Sequence, residues 1–336
     1  MQAMPEPRGP TTELLFERWQ GGPGAARAAV PACEASAPLF DEDLQLALYC
    51  CYELHYGGLP GVDERWEWDP WLLELRAGLE AAFEYALLAE LGAPSDSAKP
   101  EEMDLALRAI AEADDGPSLS GYVERHADLG QLVEFLVHRS AYQLKEADPH
   151  SWALPRLSGP PKAALVEIQA DEYGGGRPER IHATMFARSM EALGLDSGSG
   201  AYLDAIPGIT LATVNLMSML GLHRRWRGAI VGHLALFEIT SSIPNRRYAT
   251  GLRRLGFGEQ ATAFFDEHVE ADAVHENIAA VDLAGGLVRQ DPGLGPTVLW
   301  GARALAALDG EWARHVLDSW ELGRSSLRSQ PTQLAV

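Results

Sequence analysis

The chain has 336 residues, 46% of them hydrophobic, and 48 acidic against 27 basic residues give a formal charge of −21. That length and apolar share build a sizeable core, as one large domain or one domain with an extension. A surface this negative argues against nucleic acid and membrane as partners and favours solubility.

Residues 1–39 are rich in Pro, Gly and Ala and read as a flexible leader. The first residues carry no apolar core of a secretory signal. Cys33, Cys50 and Cys51 have no C-x2-C spacing. They make no disulfide framework, so a reducing, cytoplasmic location is expected. Residues 40–58 and 69–92 read as helices, the second opened by Asp69 and Pro70 and stopped by Gly92. A third helix begins near residue 101 and is closed by Gly116 and Pro117. These three helices, residues 40–116, form an extension outside the ligand-bearing part of the chain. Trp66, Trp68, Trp71 and Phe83 must be buried against something. Packing on the chain's own core is the simplest solution, and a homodimer through these helices is the alternative.

Residues 118–147 again show helical periodicity, ended by Pro149. Glu134 and His138 stand at i and i+4 there, as an extra metal pair or, preferably, a polar face with short-range pairing. Arg139 is a candidate to receive a substrate carboxylate, with Tyr142 about one turn away. A helix over 160–173 runs into Gly174, Gly175 and Gly176, and another starts near Pro178. Residues 201–222 and 226–240 are two apolar helices, with Pro244 set against continuation of the second. Met217 and Met219 fall on different faces of the first and read as core. A helix over about 258–283 follows, and the last apolar stretch gives one or two more. Strand signals are nearly absent and no run of ~18 apolar residues appears. The fold class is therefore an all-α bundle. Its metal-binding core is expected over 117–330.

The chemistry concentrates in EHVEADAVH, which puts His268, Asp272 and His275 on one helix at spacings of four and three residues. They fall within an arc of roughly 60°. Apolar neighbours from Phe264 to Val281 place part of that stripe in the interior, where ionisable groups must be paired or metal-bound. Glu238 lies in an otherwise apolar helix. Glu172 and His182 flank the glycine-rich break, which lets them approach one point. Glu179 ranks second and Glu167 third for the first carboxylate, with Glu134 a remote further choice. Three carboxylates and three imidazoles suit iron or manganese better than structural zinc. Six ligands serve two metals if a carboxylate bridges, and Glu238 is the bridging candidate. One metal held by four of them is the other arrangement. Arg246, Arg247, Arg253 and Arg254 form a basic patch that either pairs with the abundant carboxylates or meets an anionic substrate.

The order Glu172–His182, Glu238, then His268–Asp272–His275 resembles the haem-oxygenase-like iron oxidases and oxygenases, a family of iron-containing redox enzymes. The resemblance covers roughly residues 120–285 and implies a haem-oxygenase-like helical bundle with a non-haem diiron centre. It also implies Fe(II), two per chain, O2 as co-substrate, and oxidation of a small molecule such as an amino acid or fatty acid. Glu238, Arg139 and Tyr142 would then serve the reaction. Electrons would come from the substrate or an external reductant, since no dinucleotide-binding fingerprint follows a strand. The N-terminal hundred or so residues exceed the minimal fold. The competing reading is a non-catalytic helical scaffold or ligand-binding protein, which requires His182, Glu238 and His268 to lie far apart.

Overall fold

The computed structural model describes residues 4–24, 30, 35–113 and 116–329, without the side chains of Asp272 and Ala273. Cys33 lies outside the described residues. Among those residues there are helices and turns and no strand. The helices are α1 (Pro10–Trp19), α2 (Glu42–Glu53), α3 (Pro70–Leu91), α4 (Met103–Glu112), α5 (Leu119–Arg125), α6 (Leu129–Gln143) and α7 (Asp148–Ser151). They continue as α8 (Gly159–Glu172), α9 (His182–Ala192), α10 (Gly208–Leu222), α11 (Arg227–Arg254), α12 (Glu259–Asn277), α13 (Gly286–Gln290) and α14 (Gly295–Glu321). No helix is long and apolar enough to cross a membrane among the described residues.

The leader is not loose throughout: residues 10–19 form α1. Pro10 fills its first position, and Asp43 of α2 accepts hydrogen bonds from Thr11 N at 2.7 Å, Thr12 N at 2.8 Å and Thr12 Oγ1 at 2.6 Å. A carboxylate borrowed from the next helix thus satisfies the open amides of α1. Leu15 and Trp19 are buried. In α3, Asp69 accepts from Trp71 N and Leu72 N, and Gly92 ends the helix at φ 74°, as the sequence suggests.

The extension lies on the bundle. α2 packs along α10, where Asn215 Nδ2 donates to the backbone and side-chain oxygens of Gln45. Lys145 meets Glu53 in a buried ion pair between the rings of Tyr49 and Tyr56. Trp66, Trp71 and Phe83 are buried, whereas Trp68 is 64% exposed.

Three helix boundaries differ from the periodicity. Residues 118–147 divide into α5 and α6, because Asp128 and Gln131 form a reciprocal cap that starts a new helix. α11 does not stop at 240 but runs through Pro244 to Arg254. The proline removes one backbone hydrogen bond, while Tyr248, Ala249 and Leu252 beyond it are buried. α10 begins at Gly208, later than periodicity predicts, and Met217 and Met219 are core.

α11 is the central element, packed on α12 and α14. Gly232 and Gly301 make the α11–α14 approach tight. A Cβ on Gly232 would overlap the Val298 carbonyl oxygen, and one on Gly301 the Ala229 carbonyl oxygen. After α12 the chain continues as a π-helix over Ile278–Gly285. Ala279, Ala280, Leu283, Ala284 and Gly285 are buried there, and a Cβ on Gly285 would lie 2.8 Å from the Pro100 carbonyl oxygen.

Candidate metal centre

Four elements deliver polar side chains to one place. α8 ends at Glu172, and Gly174, Gly175 and Gly176 follow with φ of 70°, 57° and 81°. A Cβ on Gly174 would lie 2.6 Å from the Arg180 carbonyl carbon, so this fold-back needs glycine. It brings His182, at the start of α9, to 2.9 Å from Glu172 (Nδ1 to Oε2). On α12, His268 Nδ1–H donates to the Phe264 carbonyl at 2.8 Å, which leaves Nε2 to face Glu146 at 3.5 Å. His275 donates Nε2–H to Asp171 at 3.0 Å and turns Nδ1 toward Glu238 at 3.6 Å and Glu172 at 3.9 Å. Each of these two imidazoles has one nitrogen fixed by a hydrogen bond and the other turned to the carboxylates, as metal-binding histidines are commonly held.

Glu146 comes from the turn between α6 and α7. Ala147 adopts φ 74°, an uncommon conformation for a residue with a Cβ, and Gln169 Nε2 holds its carbonyl at 3.0 Å. The turn sends Lys145 toward Glu53 of α2 and Glu146 toward His268. Sequence periodicity missed Glu146 by extending one helix to residue 147. The available signal was Asp148–Pro149, a helix start that obliges the preceding residues to leave the earlier helix.

These side chains form two buried groups: Glu146, Glu172, His182 and His268 in one, and Glu172, Glu238 and His275 in the other. Within each, one ligand atom per residue lies within 4.8 Å of the others. Glu172, not Glu238, is common to both. Asp272 sits on α12 between His268 and His275, and its side chain lies outside the described residues. Glu146 Oε2, Glu172 Oε2, His182 Nδ1 and His275 Nδ1 are buried without hydrogen-bond partners. Such atoms are costly to bury unless a cation or proton is shared among them. The mixed N/O donor set and these open atoms fit two iron ions.

The electrostatics point the same way. Burial, then the Glu238 carboxylate, pushes Glu172 up to about 7. Burial and neighbouring His268 hold His182 down to about 4. Burial works against a charged His275, but the nearby Glu238 carboxylate, with help from the hydrogen bond to Asp171 and from Glu172, lifts it to about 9. Protons on Glu172 and His275 therefore stand where cations belong, and metal binding would release them.

Other predicted residues fall elsewhere. Glu167 and Glu179 are exposed. Glu134 accepts from Trp320 Nε1, Ser326 N and Ser326 Oγ, and His138 bonds Thr210 and Ser326. That pair fastens the C-terminal segment and joins neither group. Tyr142 is not on Arg139's side; it lies against Phe237 by the carboxylates and lines a void of about 10 Å³, one water in size. Burial, then Glu146, Glu172 and Glu238, raises its pKa well above the usual range. Of the basic patch, Arg253 pairs with Asp266, Arg254 meets the carbonyls of Val123, Glu124 and Ala127, and Arg247 meets Ser118 and Ser120. Val274 of α12 and Val281 of the π-helix after it are exposed, so the apolar face over this stretch is narrower than periodicity predicts.

A cavity of about 360 Å³ adjoins the first group. Glu146, His268, Phe186 and Phe265 line it, as do Gln143 and Arg139. The Arg139 guanidinium lies over the Trp312 ring at 4.3 Å, with Asp309 at 3.9 Å.

The family model described as iron-containing redox enzyme matches residues 133–310. A nitrosourea synthase from Streptomyces achromogenes subsp. streptozoticus is 30% identical over 146 residues, 43% of this chain and 31% of that protein. This chain thus matches about a third of that relative's length. A crystal structure of a CADD-like protein of unknown function from Nostoc punctiforme PCC 73102 superposes with a TM-score of 0.51 at 16% identity. That likeness covers 65% of this chain and 97% of the other, and shows the helical fold.

Proposed function

The chain belongs to the iron-containing redox enzymes, and on that premise we propose that it is an oxygen-using oxidoreductase that oxidises a small molecule beside a two-iron centre. Glu146, Glu172, His182 and His268 would hold one iron; Glu172, Glu238 and His275, joined by Asp272, would hold the other. The observation that carries this reading is Glu172, which belongs to both buried groups and so stands between the two sets of donors. A scaffold with surface His/Glu pairs does not fit, because His182, Glu238 and His268 converge and are buried.

Iron bound there would supply the reduction of O2 and the oxidising power. The protein's part is positioning and exclusion of water. The Phe264 carbonyl and Asp171 set which nitrogen His268 and His275 present. Phe186, Phe264 and Phe265 close the side of the first group against solvent. Tyr142 keeps its phenolic proton beside three carboxylates. Arg139 would receive a carboxylate of an amino acid or fatty acid in the cavity. A nitrosourea contains oxidised nitrogen, so oxidation at a substrate nitrogen is the outcome we place first. Electrons come from the substrate or an external reductant.

Oxygen uptake by the ferrous protein tests this reading across a panel of amino acids and fatty acids. At least one compound should accelerate uptake, and Glu238→Gln should remove the acceleration. Protein that carries stoichiometric zinc from iron-replete medium, with no oxygen uptake, overturns it.

A further inference from the structure

The turn that delivers Glu146 to the first group is held by two anchors outside that group. On one side the Lys145 ammonium meets Glu53 of α2, with side chains only 8% and 6% exposed. The rings of Tyr49 and Tyr56 flank the ammonium at 4.4 and 4.7 Å. On the other side Gln169 Nε2 of α8 donates to the Ala147 carbonyl at 3.0 Å. Between the anchors Ala147 keeps φ 74°. A residue with a Cβ disfavours that conformation by about ten-fold and holds it only where its surroundings impose it. Glu146 is bracketed by Lys145 and Ala147, and its Oε1 faces His268 Nε2 at 3.5 Å.

Glu53, Tyr49 and Tyr56 lie in the extension, outside the residues 133–310 that match the family model. We propose that Glu53 is a positioning residue for the first iron: by fixing Lys145 it keeps Ala147 in its left-handed conformation and so aims Glu146 at His268. Without that carboxylate the ammonium is buried with no counter-charge and must leave its place between the two rings. Ala147 then relaxes toward ordinary backbone and carries Glu146 away from His268. The second group, Glu172, Glu238 and His275, takes no residue from this turn, so its iron should be untouched. The proposal rests on the two-iron reading and gives the extension a part in the metal centre.

Full-length chains reconstituted anaerobically with Fe(II) and titrated with the chelator ferrozine test it. Wild type should hold two irons tightly. Glu53→Gln should hold one as tightly as wild type and the other about ten-fold more weakly, the loss expected when the support of a metal ligand is removed. Ala147→Gly in the Glu53→Gln background should restore most of that affinity, because glycine takes the left-handed conformation without a clamp. A residue that only holds the fold together would not be rescued in this way. Asn215→Leu is the control: it cuts the contact with Gln45 that also docks α2 on α10, so it should lower the thermal midpoint and leave both irons in place. Glu53→Leu combined with Lys145→Met replaces the ion pair by apolar side chains, a change that commonly keeps a fold intact. It should weaken the same iron, and it decides the matter should Glu53→Gln unfold. Two tightly held irons in either folded variant, no recovery with Ala147→Gly, or equal iron loss in Asn215→Leu overturns the proposal. Wild-type protein that never holds two irons overturns the two-iron reading, and the proposal falls with it.

Discussion

Replacing Gly232 with alanine is the sharpest probe of how packing holds the site. The new methyl would lie about 1.5 Å inside the ordinary ~3.3 Å approach of carbon to a carbonyl oxygen, here that of Val298. Its neighbour is backbone, so no side chain can swing aside. Gly301, facing Ala229, and Gly228, facing Thr297, pin the same pair of helices, so α11 and α14 must part along much of their contact. A gap of 0.5–1 Å already removes a quarter to a half of a dispersion contact, and overpacking of this kind costs roughly 3 kcal/mol. Urea unfolding should show that loss. Iron content should fall with it, because Glu238 lies six residues further along α11. Gly78→Ala is the internal control: Gly78 is exposed in α3 with nothing near its missing methyl, so the change should stabilise by about 0.5 kcal/mol. If Gly232→Ala matches wild type in stability and iron, the close-contact argument is wrong.

Glu146→Gln should leave about one iron per chain, whereas Glu134→Gln should keep both and lower the thermal midpoint, as metal analysis and a melt on each variant will show. Ala147→Gly relieves a left-handed backbone conformation and should stabilise by about 1 kcal/mol with iron unchanged, measured by urea unfolding. A fall in stability would show that the turn is held another way. Burial, then His315 and Arg139, holds His138 down to about 3. The unfolded chain, with histidine near ~6.5, therefore takes up a proton that the folded chain refuses. That contribution is present above pH ~6.5 and is lost as pH falls toward 3. Across about pH 5 to 6, His138→Gln should flatten the stability profile by about 1.4 kcal/mol per pH unit, and parallel urea-midpoint profiles would contradict it.

Much of this molecule is written in local sequence. Asp69, Pro70 and Gly92 delimit α3 because capping depends on a few adjacent residues. The triple glycine foretells the fold-back that joins Glu172 to His182, since only glycine takes three successive positive φ values at that separation. What sequence conceals is set by distant partners. α1 depends on Asp43, and α11 passes Pro244 because its far side is buried. Glu146 looks like a surface residue until the turn at Ala147 and its clasp by Gln169 are seen. Glu134 and His138 have ligand chemistry at ligand spacing, yet their partners are Trp320, Ser326 and Thr210, remote in the chain. Charge pattern alone could not tell these pairs apart, because burial beside other carboxylates is a property of the assembled bundle.

The central claim is that two buried groups share Glu172 and together hold two irons. Anaerobic reconstitution with Fe(II), removal of loose metal and counting of iron per chain test it directly, on wild type, Glu172→Gln and Glu238→Gln. The account expects about two irons for wild type, about one for Glu238→Gln and close to none for Glu172→Gln, with all three chains folded by circular dichroism. A folded Glu172→Gln protein that still holds two irons would contradict it.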